Sequence, residues 1–244
     1  MTPSAIDGSQ RQAAKVVGLA YLLALPPALF AGIFVASRLI VPANAAATAQ
    51  NIVAHERLFR LGVASDLGTF ALDVVLITAL YLVLKPVHRG LALLATFWGL
   101  VETALFVAVT LKNLDVLQLL SGADYLRPFE ADRLQALARL AIGAHSAGYS
   151  VGLVFAGLRS TVFAYLWFRS GYIPKPLAAW GVFASLLLAA CTSTFVVAPE
   201  LAKIVTVGYY GGPIFLFELS MGFWLLLKDL RQPVQPMGGS LQLP

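Results

Sequence analysis

Six long apolar runs recur along this chain, each close to the ~20 residues that one helix needs to cross a hydrocarbon core roughly 30 Å thick. They cover residues 16–37, 61–84, 90–111, about 141–168, 177–198 and 208–227. Runs this long and uninterrupted are not the core helices of a water-soluble bundle, which carry their apolar residues on one stripe. Composition agrees. With 59% hydrophobic and 12% charged residues among 244, the chain cannot clothe a soluble surface, for which about a quarter charged residues is ordinary. The apolar excess faces lipid. The same counts exclude a disordered chain and, with Cys191 as the single cysteine, a disulfide-stapled domain or a Cys-ligated metal protein. A net charge of +5 would suggest nucleic acid in a soluble protein; here Lys and Arg sit at helix ends, where they set topology, and no nucleic-acid partner is expected.

The reading is therefore all-α: an integral membrane six-helix bundle over residues 15–230, with tails at 1–14 and 231–244. Arg11 and Lys15 precede an apolar run longer than the 7–15 residues of a signal-peptide core, so the first run is read as a retained helix. Neither end carries a lipidation or organelle signature. Pro26 and Pro27 lack N–H donors and are expected to kink the first helix, and Gly208, Gly211, Gly212 and Pro213 to break the start of the last. Lys and Arg divide evenly between the two sides. The loops on the side of the termini are shorter and hold them at higher density, which places both termini in the cytoplasm. Residues 51–61 and the stretch after the Ser121-Gly122 break within 113–139 have the pattern of helices lying on the bilayer surface.

Ionisable groups at bilayer depth cost at least ~2.5–3.5 kcal/mol each, so they pair, face the interior or work. Six are candidates: Asp66, Asp73, Glu102, His145, Arg159 and Glu218. Counted from the proposed cytoplasmic helix ends at 1.5 Å per residue, Asp73, Glu102, Arg159 and Glu218 fall in one band roughly 14–18 Å deep, near the midplane. Asp66, almost two turns from Asp73 on the same face and about 10 Å along the helix, forms a second tier with His145 and Tyr149. The two tiers would line a path from the outer surface to the bundle centre.

Three readings of these residues stand side by side. In one, Arg159 ties helices together through a carboxylate and the surplus acids sit neutral. In the second, Asp73, Glu102 and Glu218 are protonatable groups of a substrate or proton pathway, with Arg159 as an anion clamp. In the third, the carboxylates and His145 serve an intramembrane hydrolase or transferase. The last has thin support, because His55 and His88 fall in loops and no zinc-protease, serine-elbow or nucleotide-loop motif occurs. No metal and no cofactor is expected, and Cys191 reads as a small buried residue. Gly148-x-x-x-Gly152 is a close-approach motif between membrane helices. No inverted repeat relates the two halves of the chain, which weighs against a transporter of that type.

The segments LIVPANAAATAQNI, LFRLG followed by Asp66-Leu67, LDVVLITALYLVLKPV, VGLVFAGL, YLWFRSGYIP and FELSMGFWLLLK resemble, in order, the bacterial membrane family called domain of unknown function 4386. The resemblance runs over roughly residues 12 to 230. It implies a membrane bundle of about six helices and supplies no reaction or substrate. Arg60, Asp66, Asp73, Glu102, His145, Gly152, Pro174 and Glu218 fall within or beside the family-like stretches. The function expected is binding or moving a small or lipidic molecule at the midplane acids, with membrane lipids as partners.

Overall fold

Each spanning helix starts and stops for a local reason. Asp7 caps the first, its carboxylate accepting the Gln10 N–H at 2.7 Å, and this starts helix α1 (Gly8–Leu39) eight residues before the apolar run. Pro26 and Pro27 do not break it; the helix absorbs them and widens into a π-helical stretch, Phe30–Val35. A short helix, α2 (Ala45–Ala54), is capped by Asn44 and ends at His55, where the backbone leaves helical geometry. The amphipathic stretch 51–61 is thus not one surface helix. It is divided at His55, because the chain must turn there from the membrane surface into the span α3 (Glu56–Leu84). His88 caps α4 (Arg89–Leu119) through its Nδ1, which accepts the Leu91 N–H.

Helix α5 (Ala131–Ser170) fuses the amphipathic stretch and the fourth apolar run into 40 residues, and Gly171, at φ 67°, ends it in the left-handed region. Helix α6 (Lys175–Val197) follows, then α7 (Val207–Leu227). The glycines and Pro213 leave α7 unbroken. Pro213 stands in its second turn, and its carbonyl accepts the Trp180 indole N–H from α6 at 3.1 Å.

The computed structural model describes residues 6–42, 44–228 and 230–231; most of the expected C-terminal tail, 231–244, lies outside them. Among the described residues the regular structure is helical, and six helices, all but α2, are long and apolar enough to cross a membrane. Each packs on its neighbours in sequence, and α7 returns to α1 to close a ring. Two apolar clusters hold the ring. One, at the end bearing both termini, gathers Val17, Leu80, Val83, Leu84, Leu166, Trp167, Ile173, Met221 and Leu225. The other, at the loop end, gathers Val35, Leu39, Ile52, Phe59, Val63, Val116 and Ile142. Between them, with Tyr21 and Phe217 of the first cluster at its edge, lies a further layer.

Candidate functional site

That layer is polar. Arg159 on α5 and Glu102 on α4 meet in it as a two-pronged ion pair, Nε to Oε2 at 2.7 Å and Nη2 donating to Oε1 at 3.1 Å. Both residues are buried, 6% and 2% exposed. Gly99, one turn before Thr103 on the same helix, makes the approach possible: a Cβ there would come 2.6 Å from Arg159 Cδ. Breaking such a pair leaves an uncompensated charge in a medium that cannot solvate it, so the fork fixes α4 against α5.

Asp73 on α3 and Glu218 on α7 lie in the same layer and within electrostatic reach of Arg159. They differ from Glu102 in being half-buried rather than buried. Arg159 gives its fork to Glu102, and among the described residues no ion pair takes up Asp73 or Glu218. The arginine is therefore a helix-pairing residue with one committed acid and two further acids nearby.

Two members of the layer carry no charge and escape a reading based on charge. Tyr21 on α1 is buried and within electrostatic range of Glu218, Arg159, Asp73 and Glu102. Ser185 on α6 is 0% exposed, and its hydroxyl has no hydrogen-bond partner among the described residues. It stands one turn from Gly181, which packs on Phe217 of α7, and one turn from Ala189, which packs on Gly157 of α5. With Tyr21 and Ser185, every spanning helix places one polar side chain in the layer.

The outer tier assembles in part. Tyr149 is within electrostatic reach of Asp66 and of Asp73, Glu102 and Glu218. His145 lies one turn from it, ring centroids 6.0 Å apart, with its Nε2 buried and without a partner among the described residues. No ion pair joins Asp66 to His145 among the described residues. Between the tiers, the expected path meets aromatic rings. Phe70, Phe106 and Tyr149 stack across it, at 5.4 and 4.3 Å between successive centroids. Glycine makes the stack possible, since a Cβ at Gly152 would strike the Phe106 ring and one at Gly148 would strike Val109.

Residues 16–228 match the family described as Domain of unknown function (DUF4386). The chain belongs to this family. An uncharacterised protein of Archaeoglobus fulgidus is 25% identical over 163 residues, which make up 66% of this chain and 78% of that one. No solved structure matches the chain. The family match takes in Tyr21, Asp66, Asp73, Glu102, His145, Tyr149, Arg159, Ser185 and Glu218, so both tiers lie inside the family's domain.

Among the described residues of this DUF4386 member, no three His, Cys, Asp or Glu side chains converge as a metal ion would require. The free thiol of Cys191 is half-buried on α6, less enclosed than expected. Two grooves open at the loop end. One, of about 400 Å³, lies between α2 and the start of α5, walled by Val53, Leu120 and Leu134 with Gln50 and Gln135. The other follows residues 53–60. The residues lining both belong to the loop end rather than to the polar layer.

Proposed function

We propose that this multi-pass membrane protein resides in a bacterial inner membrane with both termini in the cytoplasm, and that it binds or moves a small or lipidic molecule at the midplane layer. The observation that carries the reading is the inequality among the three acids. Glu102 is buried and committed to Arg159, whereas Asp73 and Glu218 are half-buried at the same depth without a cation of their own among the described residues. A half-buried acid at bilayer depth faces lipid tails or a crevice between helices, and neither supplies the partner it needs. Tyr21 and Ser185 enlarge the same acceptor-rich wall. Such a wall suits a molecule whose head group donates hydrogen bonds or is cationic, and whose apolar part stays among the lipids. Entry is from the bilayer, because the ring stack bars the loop side and the apolar cluster bars the terminus side.

Native mass spectrometry of the protein, extracted in mild detergent, tests this. The expected result is a co-purifying small or lipidic molecule on the wild type that is lost from Asp73→Asn/Glu218→Gln, with the fold retained because the Arg159–Glu102 pair is untouched. A bare mass for the wild type, or equal retention by the double variant, contradicts the proposal.

A further inference from the structure

We infer that a lateral cleft between α1 and α7, in the loop-side half of the membrane, admits the chain of a long-chain amine whose head reaches Asp73 and Glu218. The placing of the head rests on the binding reading above; the cleft itself does not.

Helix periodicity marks where the bundle is not filled. Side chains three and four apart share a helix face, so a face packed on its neighbours is an unbroken buried stripe. On α4 it is unbroken, through Ala92, Ala95, Gly99, Glu102, Phe106 and Thr110, and on α6 through Ala178, Gly181, Ser185, Leu188 and Thr192. The other four stripes are interrupted. On α3, Val63, Phe70, Ile77 and Leu80 are buried, while Asp66 and Asp73, in step with them, are half-buried. On α5 the interruption is His145 and Tyr149, between Ile142 and Gly152. On α1 it is Ala24 and Ala28, between Tyr21 and Val35. Residues on the inner face that are still partly exposed border a space inside the bundle, and these run from the midplane toward the loop end.

Helix α7 marks where that space opens. On its inner stripe Met221 and Leu225 are buried, Glu218, Ile214 and Gly211 are half-buried, and Val207 is 64% exposed. The neighbour it parts from is α1. In the terminus half the two helices meet closely, at Gly18 and Gly222. Beyond the two prolines the π-helical stretch Phe30–Val35 packs on α3 instead, with Val35 against Gly62. The loop-end apolar cluster joins α1 to α5, and among the described residues it holds none from α6 or α7. The ring is thus closed at one end and parted at the other. The cleft rises about 16 Å along α7 from Glu218 to Val207, the depth of one leaflet.

Its walls suit an alkyl chain and its inner end a cation. Ala24 and Ala28 of α1 and Gly211 and Ile214 of α7 are small or apolar, at a depth where lipid tails are the surroundings. At the inner end stand Asp73 and Glu218, with Asp66 further out, while Arg159 is committed to Glu102. Tyr21, 8% exposed, lies one turn inward of Ala24, and no hydrogen bond engages its hydroxyl among the described residues. An amine arriving uncharged from the bilayer takes the proton of one of these carboxyls. The products, an ammonium and a carboxylate, are paired where either alone would be costly.

Photo-crosslinking in nanodiscs tests this, using a long-chain primary amine with a diazirine midway along its chain and peptide mass spectrometry to place the adducts. Adducts are expected within residues 24–31 and 207–214, competed away by dodecylamine and not by dodecanol. Ala28→Phe and Gly211→Leu fill the cleft from opposite walls, and each should reduce labelling about tenfold without lowering the melting temperature. If one of them fails to fold, the other decides. Gly68→Leu, on the lipid face of α3, should label as the wild type does. Wild-type labelling in the folded wall variants, equal labelling of the exposed face of α4 at residues 97–104, or equal competition by dodecanol overturns the inference. Asp73→Asn/Glu218→Gln should also abolish labelling. Labelling that survives it contradicts the placing of the head and with it the midplane reading, whereas wild-type labelling in the wall variants alone contradicts the cleft and leaves that reading standing.

Discussion

The half of the bundle that bears the termini and the half that bears the long loops are built differently. Of the largest side chains under 2% exposed, only Leu39 and Ile52 belong to the loop half; the others, from Val17 and Ile77 to Trp167 and Leu225, belong to the terminus half. Glycines do not divide the same way: a Cβ on Gly18 would lie 3.0 Å from the Gly222 carbonyl oxygen, and one on Gly148 or Gly152 would strike Val109 or Phe106, whereas Gly68 and Gly143 in the loop half have nothing within 4 Å. Lipid tails are as apolar as leucine, so helices in a bilayer gain little from hiding apolar surface and associate through close packing and polar contacts. The terminus half uses the first means. The polar layer uses the second, through the Arg159–Glu102 fork, and the loop half adds the ring stack to its own close glycine contacts.

The largest expected effect of a single change is at the boundary between the halves. Arg159→Leu leaves Glu102 buried and unpaired and should cost about 3–5 kcal/mol in detergent unfolding, while Arg159→Leu/Glu102→Leu should recover most of that loss. A double variant as unstable as the single one would show that the arginine does more than pair with one acid. Next comes packing. Gly18→Val should destabilise by about 1–3 kcal/mol because the obstruction includes backbone of α7, and Gly143→Val should stay within about 0.5 kcal/mol. Equal losses would erase the contrast between these two sites.

Amide hydrogen exchange gives a subtler comparison. Residues 45–54 and 131–140 at the loop end should exchange well before residues 76–84 and 160–168, since few fully buried side chains cover them. The smallest effect concerns the first helix. The Gln10 N–H, followed by the Ser9 hydroxyl, holds the Asp7 carboxyl below the usual carboxylate range. A carboxyl lowered on folding stabilises above its ordinary range, and that contribution fades as pH falls through the folded value. Asp7→Ala should therefore lower the melting temperature slightly at neutral pH and not at strongly acidic pH.

Much of this architecture is legible in the chain because lipid imposes long apolar runs and because a charge inside one is costly enough to stand out. Counting residues from helix ends was sufficient to bring Asp73, Glu102, Arg159 and Glu218 to one level. It could not say which acid Arg159 takes, since that depends on α4 lying beside α5 with Gly99 facing the arginine stem. Tyr21 and Ser185 went unseen for the opposite reason: a neutral hydroxyl in an apolar run costs little and has no distinct signature. The ring stack was equally hidden, because Phe70, Phe106 and Tyr149 come from three helices and each alone reads as ordinary apolar filling. Where local pattern misled, at His55 and at the Gly-rich start of α7, the needs of the bundle prevailed. The chain must turn into the membrane at one, and α6 packs along the other, with Trp180 reaching Pro213.

The central claim is that the three midplane acids are unequal: Glu102 is committed to Arg159, and Asp73 and Glu218 are free to serve. A lipid-soluble carbodiimide reacts with neutral carboxyl groups inside a bilayer, and peptide mass spectrometry locates the adducts. The account predicts modification of Asp73 and Glu218 with Glu102 spared in the wild type, and modification of Glu102 once Arg159→Leu removes its partner. Labelling of Glu102 in the wild type, or of neither Asp73 nor Glu218, would contradict it.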